Sequence, residues 1–331
     1  MKVLFIGGTG IISSACSELA LKEGIELFHL NRGQSQRATP EGVRVLRGDI
    51  HDPVSFRNAL GDHHFDAVVD WIAFTPDQIE RDISLFAGRT RQFVFISSAS
   101  AYHTPPLNLP VTESTPLFNP FWEYSRNKIA CEERLVRAYR ESGFPATIVR
   151  PSHTYDQTLT PMGFGYTVIN RMRQGRRVIV HGDGTSLWTL THHRDFAVGL
   201  VGLLGNERAV GDVFHITNDE ILTWNQIYNL MAEAAGTRAH LVHIPSDFIA
   251  AFDPDWGAGL LGDKAHSMVF DNSKIRRTVP AFNPVIPFYR GAREIMAYYD
   301  ADPARQVVDQ QQDAMMDRII SAYESALPAH S

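Results

Sequence analysis

The chain has 331 residues, about twice a typical domain of 100–200 residues, so one large or two modest domains are expected. Its 37 acidic residues outnumber its 31 basic ones, for a formal net charge of −6; nucleic acid is not expected as a partner, because a phosphate-backbone binder normally carries a basic surplus. Hydrophobic residues at 44% and charged residues at 21% fit a globular protein and exclude a collagenous or low-complexity chain.

Two cysteines make no disulfide framework in a chain this long, which points to a reducing compartment. No run approaches the roughly 20 apolar residues of a membrane helix. The apolar run that ends at Ile6 breaks at Gly7-Gly8 and is too short for a secretory h-region. A cytoplasmic protein with no membrane partner is expected.

In chain order, Val3–Ile6 reads as a buried strand because it shows no polar alternation. The turn Gly7-Gly8-Thr9-Gly10-Ile11-Ile12-Ser13 follows, then a helix from Ile11 to Glu23 that stops at Gly24. Strands are predicted at Glu26–Leu30, Val43–Arg47, Ala67–Asp70, Gln92–Ile96 and Ala146–Val149. Helices are predicted at Pro76–Phe86 and Trp122–Ser142, and Pro53 is placed to begin another. This alternation is the pattern of βαβ units and a parallel sheet.

After Pro151 the elements shorten. Phe164–Gln174, Arg194–Leu204, Thr223–Ala235 and Arg290–Tyr299 read as helices, and Val178–Val180, Val213–Ile216 and His240–Ile244 as strands. The stretch 246–263, with Asp253-Pro254-Asp255, Gly257 and Gly259, reads as a long loop or lid. Between Val307 and Ala326, Met315, Met316, Ile319, Ile320 and Tyr323 are spaced to pack one helix against the body.

Chemistry concentrates in the first half. A glycine turn between a first strand and a first helix lets backbone N–H groups approach a pyrophosphate, whose charge the helix N-terminus stabilises; a plain tight turn is the alternative. Asn31 and Arg32 follow the second strand, where an acid would pair with a ribose 2′-hydroxyl and an arginine would suit a 2′-phosphate. Asp49 and Ile50 either flank an adenine ring or, for Asp49, cap the helix near Pro53. Tyr124 and Lys128 are four apart, on one helix face, where a cation favours the phenolate of a tyrosine. Ser98 ends the strand preceding them.

In this order and spacing the motifs resemble the extended short-chain dehydrogenase/reductases, the NAD(P)-dependent epimerase/dehydratase family, over most of the chain. The carriers are Gly7-Gly8-Thr9-Gly10, Gly48-Asp49, Ser98 to Tyr102, Tyr124 with Lys128, Val149-Arg150-Pro151, Gly182-Asp183-Gly184 and His192 to Ala197. The resemblance implies that Ser98 hydrogen-bonds the reacting oxygen, Tyr124 is the acid/base, and Lys128 holds the nicotinamide ribose and lowers the tyrosine pKa. It implies cofactor contacts from Gly7, Thr9, Gly10, Ile11, Ile12, Asp49, Ile50 and the Trp71-Ile72-Ala73 loop.

Three positions depart from the pattern. Ser13 stands where a glycine is expected, Asn31-Arg32 replaces the acid of many NAD-using members, and Trp188 stands where nucleotide-sugar enzymes often carry an arginine. Arg171, Arg173, Arg176 and Arg177 are nearby replacements. The Asn-Arg-Gly turn also resembles an atypical branch that includes chloroplast stem-loop RNA-binding proteins. His63-His64 and His192-His193 are adjacent pairs with no Cys or Glu at ligand spacing, so no metal is expected.

The expectation is therefore an α/β protein with a doubly wound parallel sheet. A Rossmann unit of residues 1–152, completed by 189–220, would bind NAD(P)(H), with NADP(H) slightly favoured. A smaller α/β unit of 153–188 and 221–331 would hold a sugar or nucleotide sugar near Ser98, His153 and Trp188. The helix Trp122–Ser142 is a candidate homodimer face. The competing expectation is a non-catalytic or RNA-associated nucleotide-binding protein on the same fold.

Overall fold

Val3, Leu4, Phe5 and Ile6 are fully shielded from solvent in the first strand, β1 (Lys2–Ile6), of a computed structural model describing residues 1–327. Further strands are β2 (Glu26–Asn31), β3 (Arg44–Arg47), β4 (Ala67–Asp70), β5 (Phe93–Ile96) and β6 (Ala146–Pro151). With Val213–Ile216 they form one seven-stranded sheet in the order Val213–Ile216, β6, β5, β4, β1, β2, β3. Every pairing in it is parallel.

A parallel sheet needs helical crossovers, which bury both of its faces. The strand period of two divides β1 between them. Val3 and Phe5 join a cluster with Cys16 and Ala20 of helix α1 (Ile11–Lys22) and with Phe196 and Leu200. Leu4 and Ile6 face the other side, with Phe56 of α2 (Pro53–Leu60), Ile79 of α3 (Pro76–Phe86) and Cys131 and Leu135 of α4 (Glu123–Ser142). Both cysteines are buried.

A third apolar cluster, including Tyr155, Val178, Val180, Trp224, Met231, Ile244 and Ile295, forms apart from the sheet. Ile275, Val279 and Phe282, from the stretch 221–331, pack against the α1 face of the sheet. Arg37, in the loop after β2, reaches across to Asp156 at 2.7 Å and Thr158 at 3.1 Å.

The stretch 246–263 is helical rather than a long loop. It folds as helices Ser246–Ala250 and Pro254–Gly259 and a π-helical turn, Leu260–Lys264. The Asp253 carboxylate accepts the Asp255 and Trp256 N–H groups at 3.1 and 2.9 Å, and Pro254 follows as the first helical residue, an N-terminal signature. Gly257 serves close packing, since a Cβ there would meet the Cβ of Ala250 at 2.2 Å. Asp52, not Asp49, caps α2, accepting from Val54 and Ser55; Asp49 accepts the His51 N–H. Among the described residues no helix is long and apolar enough to cross a membrane.

Candidate active site

Strand order reverses between β1 and β4, which opens a crevice at their carboxyl ends. Gly7 leaves β1 with φ of +101°, a conformation that favours glycine. A Cβ at Gly7 would lie 3.2 Å from Ile72 and 3.3 Å from Trp71, the loop after β4. The Asp70 carboxylate holds that loop by accepting the Ile72 and Ala73 N–H groups at 2.7 and 2.8 Å.

Gly7, Thr9, Gly10, Ile11, Ile12, Trp71 and Ile72 line one cleft of about 740 Å³. The first turn of α1 presents N–H groups without intrahelical partners there, as an anion requires. Ser13 changes the arrangement: its hydroxyl accepts the Gly10 N–H at 2.7 Å, so Gly10 has one donor fewer for a phosphate. This cradle, too narrow for a Cβ, fits a dinucleotide.

A neighbouring pocket of about 330 Å³ is lined by Asn31, Arg32, Gly33, Gly48, Ile50 and Ile72, among others. Asn31 shapes its turn by accepting the Gly33 N–H at 2.9 Å. Arg47, which sequence reasoning missed, lies against Gly33. Asp49 is absent from this lining and is occupied locally, while Ile50 is present. Ala73 is buried and lines neither space.

At the opposite end of the cleft stand Ser98, Tyr124 and Lys128. The Ser125 hydroxyl donates to Ser100 at 2.7 Å, and the Ser100 hydroxyl lies 2.9 Å from that of Ser98. Ser98 also accepts the Ser100 N–H at 3.2 Å. A hydroxyl has one proton: with Ser100 accepting from Ser125 and giving its own to Ser98, the Ser98 proton is left for the Tyr124 oxygen or a substrate oxygen. Ser100 and Ser125 carry no local signal of this relay, because it joins a strand end to a helix.

Lys128 is buried, and its ammonium donates to the Ala73 carbonyl at 2.7 Å and the Ile96 carbonyl at 2.8 Å. Burial lowers its pKa to about 8. Here the expected electrostatics need correction. Burial raises the Tyr124 pKa, the Ser98 hydroxyl opposes that rise, and the Asp263 carboxylate adds to it. In the protein alone, loss of water around the phenol outweighs any help from Lys128, whose ammonium is 5.8 Å from the tyrosine ring centre.

Asp263 and Lys264 line the same cleft from the π-helical turn, 3.4 Å apart. The Asn119 side-chain amide ties this turn to the Ser98 strand end, donating to the Ser100 carbonyl at 2.9 Å and the Gly262 carbonyl at 2.7 Å. No sequence motif marks Asp263; only folding of 246–263 brings it to the cleft. Burial pushes its carboxyl pKa up.

His153 and Trp188 also line the cleft. The Trp188 indole N–H donates to His153 Nδ1 at 3.1 Å, so the neutral imidazole carries its proton on Nε2. Burial lowers the His153 pKa to about 3. The four nearby arginines do not line it. Arg171 and Arg176 pair with Asp313 and Asp317, Arg173 with Asp300, and Arg177 with Glu324.

The fold also assembles a ligand set that the sequence did not foresee. Glu294 joins His192 and His193, with one ligand atom from each within 4.8 Å of the others. Glu294 is already shared between His192 at 3.1 Å and Arg194 at 2.8 Å.

Residues 3–217 match the model of the NAD dependent epimerase/dehydratase family. The chain is similar to 2'-dehydrokanamycin reductase of Streptomyces kanamyceticus, 27% identical over 85% of this chain and 80% of that one. It is 26% identical to the chloroplast stem-loop binding protein of 41 kDa b of Arabidopsis thaliana, over 75% of this chain and 67% of that one. Among solved structures it resembles the epimerase Mth375 of Methanothermobacter thermautotrophicus, with a TM-score of 0.75 and 16% identity across 92% and 93% of the two chains.

Proposed function

Because the chain belongs to the NAD dependent epimerase/dehydratase family, we propose that it moves hydride between NADP(H) and a carbon bearing a hydroxyl or carbonyl group on a sugar. The observation that carries this reading is the hydroxyl relay through Ser125 and Ser100. It leaves the Ser98 proton for the Tyr124 oxygen or a substrate oxygen in the cleft that also holds the glycine loop.

The bound nicotinamide supplies the hydride acceptor or donor. Ser98 orients the substrate oxygen by donating to it. Tyr124 takes the hydroxyl proton during oxidation and returns it during reduction. Lys128 fixes Ala73 and Ile96, the carbonyls at the ends of the two loops that flank the cofactor, and keeps one N–H for a ribose hydroxyl. The relay and Lys128 together favour an enzyme over the stem-loop-binding reading, as does the pairing of Arg171, Arg173, Arg176 and Arg177 with carboxylates.

Cofactor choice tests the adenosine end. Arg32 is exposed and lines the pocket beside the ribose-reading turn, with Arg47 behind it. Charge-assisted bonds of this kind contribute about 1.5–3 kcal/mol. NADPH is therefore expected to bind roughly ten- to a hundredfold tighter than NADH, and Arg32→Ala to erase most of that difference. Fluorescence titration showing tighter NADH binding, indifferent to Arg32→Ala, overturns the assignment.

The pH profile tests the catalytic end. Burial, and to a smaller extent the negative charge on Asp263, disfavours the Tyr124 phenolate, so the folded protein holds the phenol above its usual value. Asp263→Asn removes that repulsion and lowers the Tyr124 pKa. The rising limb of alcohol oxidation, which needs phenolate, is expected to move to lower pH. The falling limb of ketone reduction, which needs phenol, moves the same way. Profiles of kcat/KM that stay in place or move up count against proton transfer by Tyr124 beside Asp263.

A further inference from the structure

Beyond the cleft lies a second cavity of about 490 Å³, within the roughly 300–1,000 Å³ typical of ligand sites. Trp122, His153 and Lys264 line both spaces, so the cavity adjoins the chamber where hydride would move. Its walls are aromatic, with Phe164, Trp224, Tyr228 and Trp256. Trp256 meets Phe164 edge to face at 4.7 Å.

Two buried polar atoms of lining residues find no partner among the described residues: the Trp224 indole N–H and the Gln312 side-chain carbonyl oxygen. Trp224 is only 1% exposed. A buried donor and a buried acceptor left unpaired call for partners, and a hydroxyl is the group that can serve either.

The charges of the lining argue against a diphosphate. Asp253 and Asp255 stand against one ammonium, that of Lys264. His153 and His181 add no cation near neutral pH, since burial lowers their pKa values to about 3 and about 4. Arg171, Arg173, Arg176 and Arg177 are paired elsewhere, and the lining includes no arginine. Indole faces, in contrast, pack well against the apolar face of a saccharide ring while an N–H serves its hydroxyls.

We propose that this cavity receives a second, phosphate-free saccharide ring, so that the substrate is a glycoside of at least two rings rather than a nucleoside-diphosphate sugar. The reacting ring lies by Ser98 and Tyr124, and the second lies among Trp224, Tyr228 and Trp256, with its hydroxyls paired to Trp224 and Gln312. The inference rests on the reading of the first chamber as the hydride-transfer site.

The test is calorimetric titration of the NADPH-loaded protein with a set of hexose and aminohexose disaccharides, their monosaccharides, UDP and UDP-glucose. NADPH loading is confirmed first by fluorescence; a protein that binds no nicotinamide cofactor overturns the functional reading and is seen before any sugar is added. With loading established, at least one disaccharide is expected to bind ten times or more tightly than its component monosaccharides, with UDP and UDP-glucose weaker still. Trp224→Phe, which keeps a ring and deletes the N–H, and Gln312→Leu, on a different helix, are each expected to weaken that disaccharide about tenfold, leaving NADPH affinity unchanged. Tighter binding of UDP or UDP-glucose than of every disaccharide overturns the proposal. So does the absence of any disaccharide advantage, or an advantage that both variants retain.

Discussion

Tyr124→Phe is expected to lower turnover by about 10²–10⁴-fold, the usual contribution of a positioned acid/base, while leaving NADPH affinity and melting temperature nearly unchanged. The ring remains in place because its packing is apolar: Trp122 lies 4.8 Å and Phe74 6.2 Å away between centroids. Only the ionisable oxygen is removed. Lys128→Ala is expected to behave differently. It deletes two hydrogen bonds to the Ala73 and Ile96 carbonyls, so cofactor affinity and rate fall together. Steady-state kinetics on both variants separate the two roles. A Tyr124→Phe enzyme with near-normal turnover removes the phenol from the mechanism.

Arg150→Ala is expected to destabilise the protein by about 3–5 kcal/mol, the usual effect of breaking a buried ion pair from one side. Arg150 and Glu132 are 4% and 3% exposed at their side chains. The guanidinium Nε donates to Glu132 at 2.9 Å and its carbon lies 4.6 Å above the Tyr102 ring. Without it, the Glu132 carboxylate keeps Ser97 as a hydrogen-bond donor but loses its directly paired countercharge. Removing both partners, as Glu132→Leu with Arg150→Met, is expected to cost far less, because no charge is left stranded. Urea denaturation of the single and double variants measures the difference; a single variant as stable as the parent refutes the account. Ser97 adjoins Ser98, and Glu132 lies one turn beyond Lys128 on α4, so this network also holds Ser98 and Lys128 in register.

Much of the first unit was legible in the chain. An unbroken apolar run at Val3–Ile6, a glycine turn and a helix stopped at Gly24 are short-range patterns, and the strand and helix they specify formed as read. The interval of four between Tyr124 and Lys128 placed both on one helix face and, with Ser98, in one cleft. Asp253-Pro254 is an equally local helix start, but the neighbouring glycines mask it by resembling a loop, where Gly257 admits close packing against Ala250.

The amino-acid sequence by itself determined the parallel sheet, the cofactor turn and the tyrosine–lysine pair, because each depends on hydrogen bonds and periodicities spanning a few residues. Only the tertiary structure decided what surrounds them. Asp263 reaches the cleft through a bond from Asn119, 143 residues away from Gly262. Glu294 meets His192 across 102 residues, Gln312 comes to the aromatic cavity from the last helix, and Arg171, Arg173, Arg176 and Arg177 are claimed by carboxylates of the later helices. These contacts follow from burying apolar faces against one another, which brings together side chains whose separation along the chain carries no pattern.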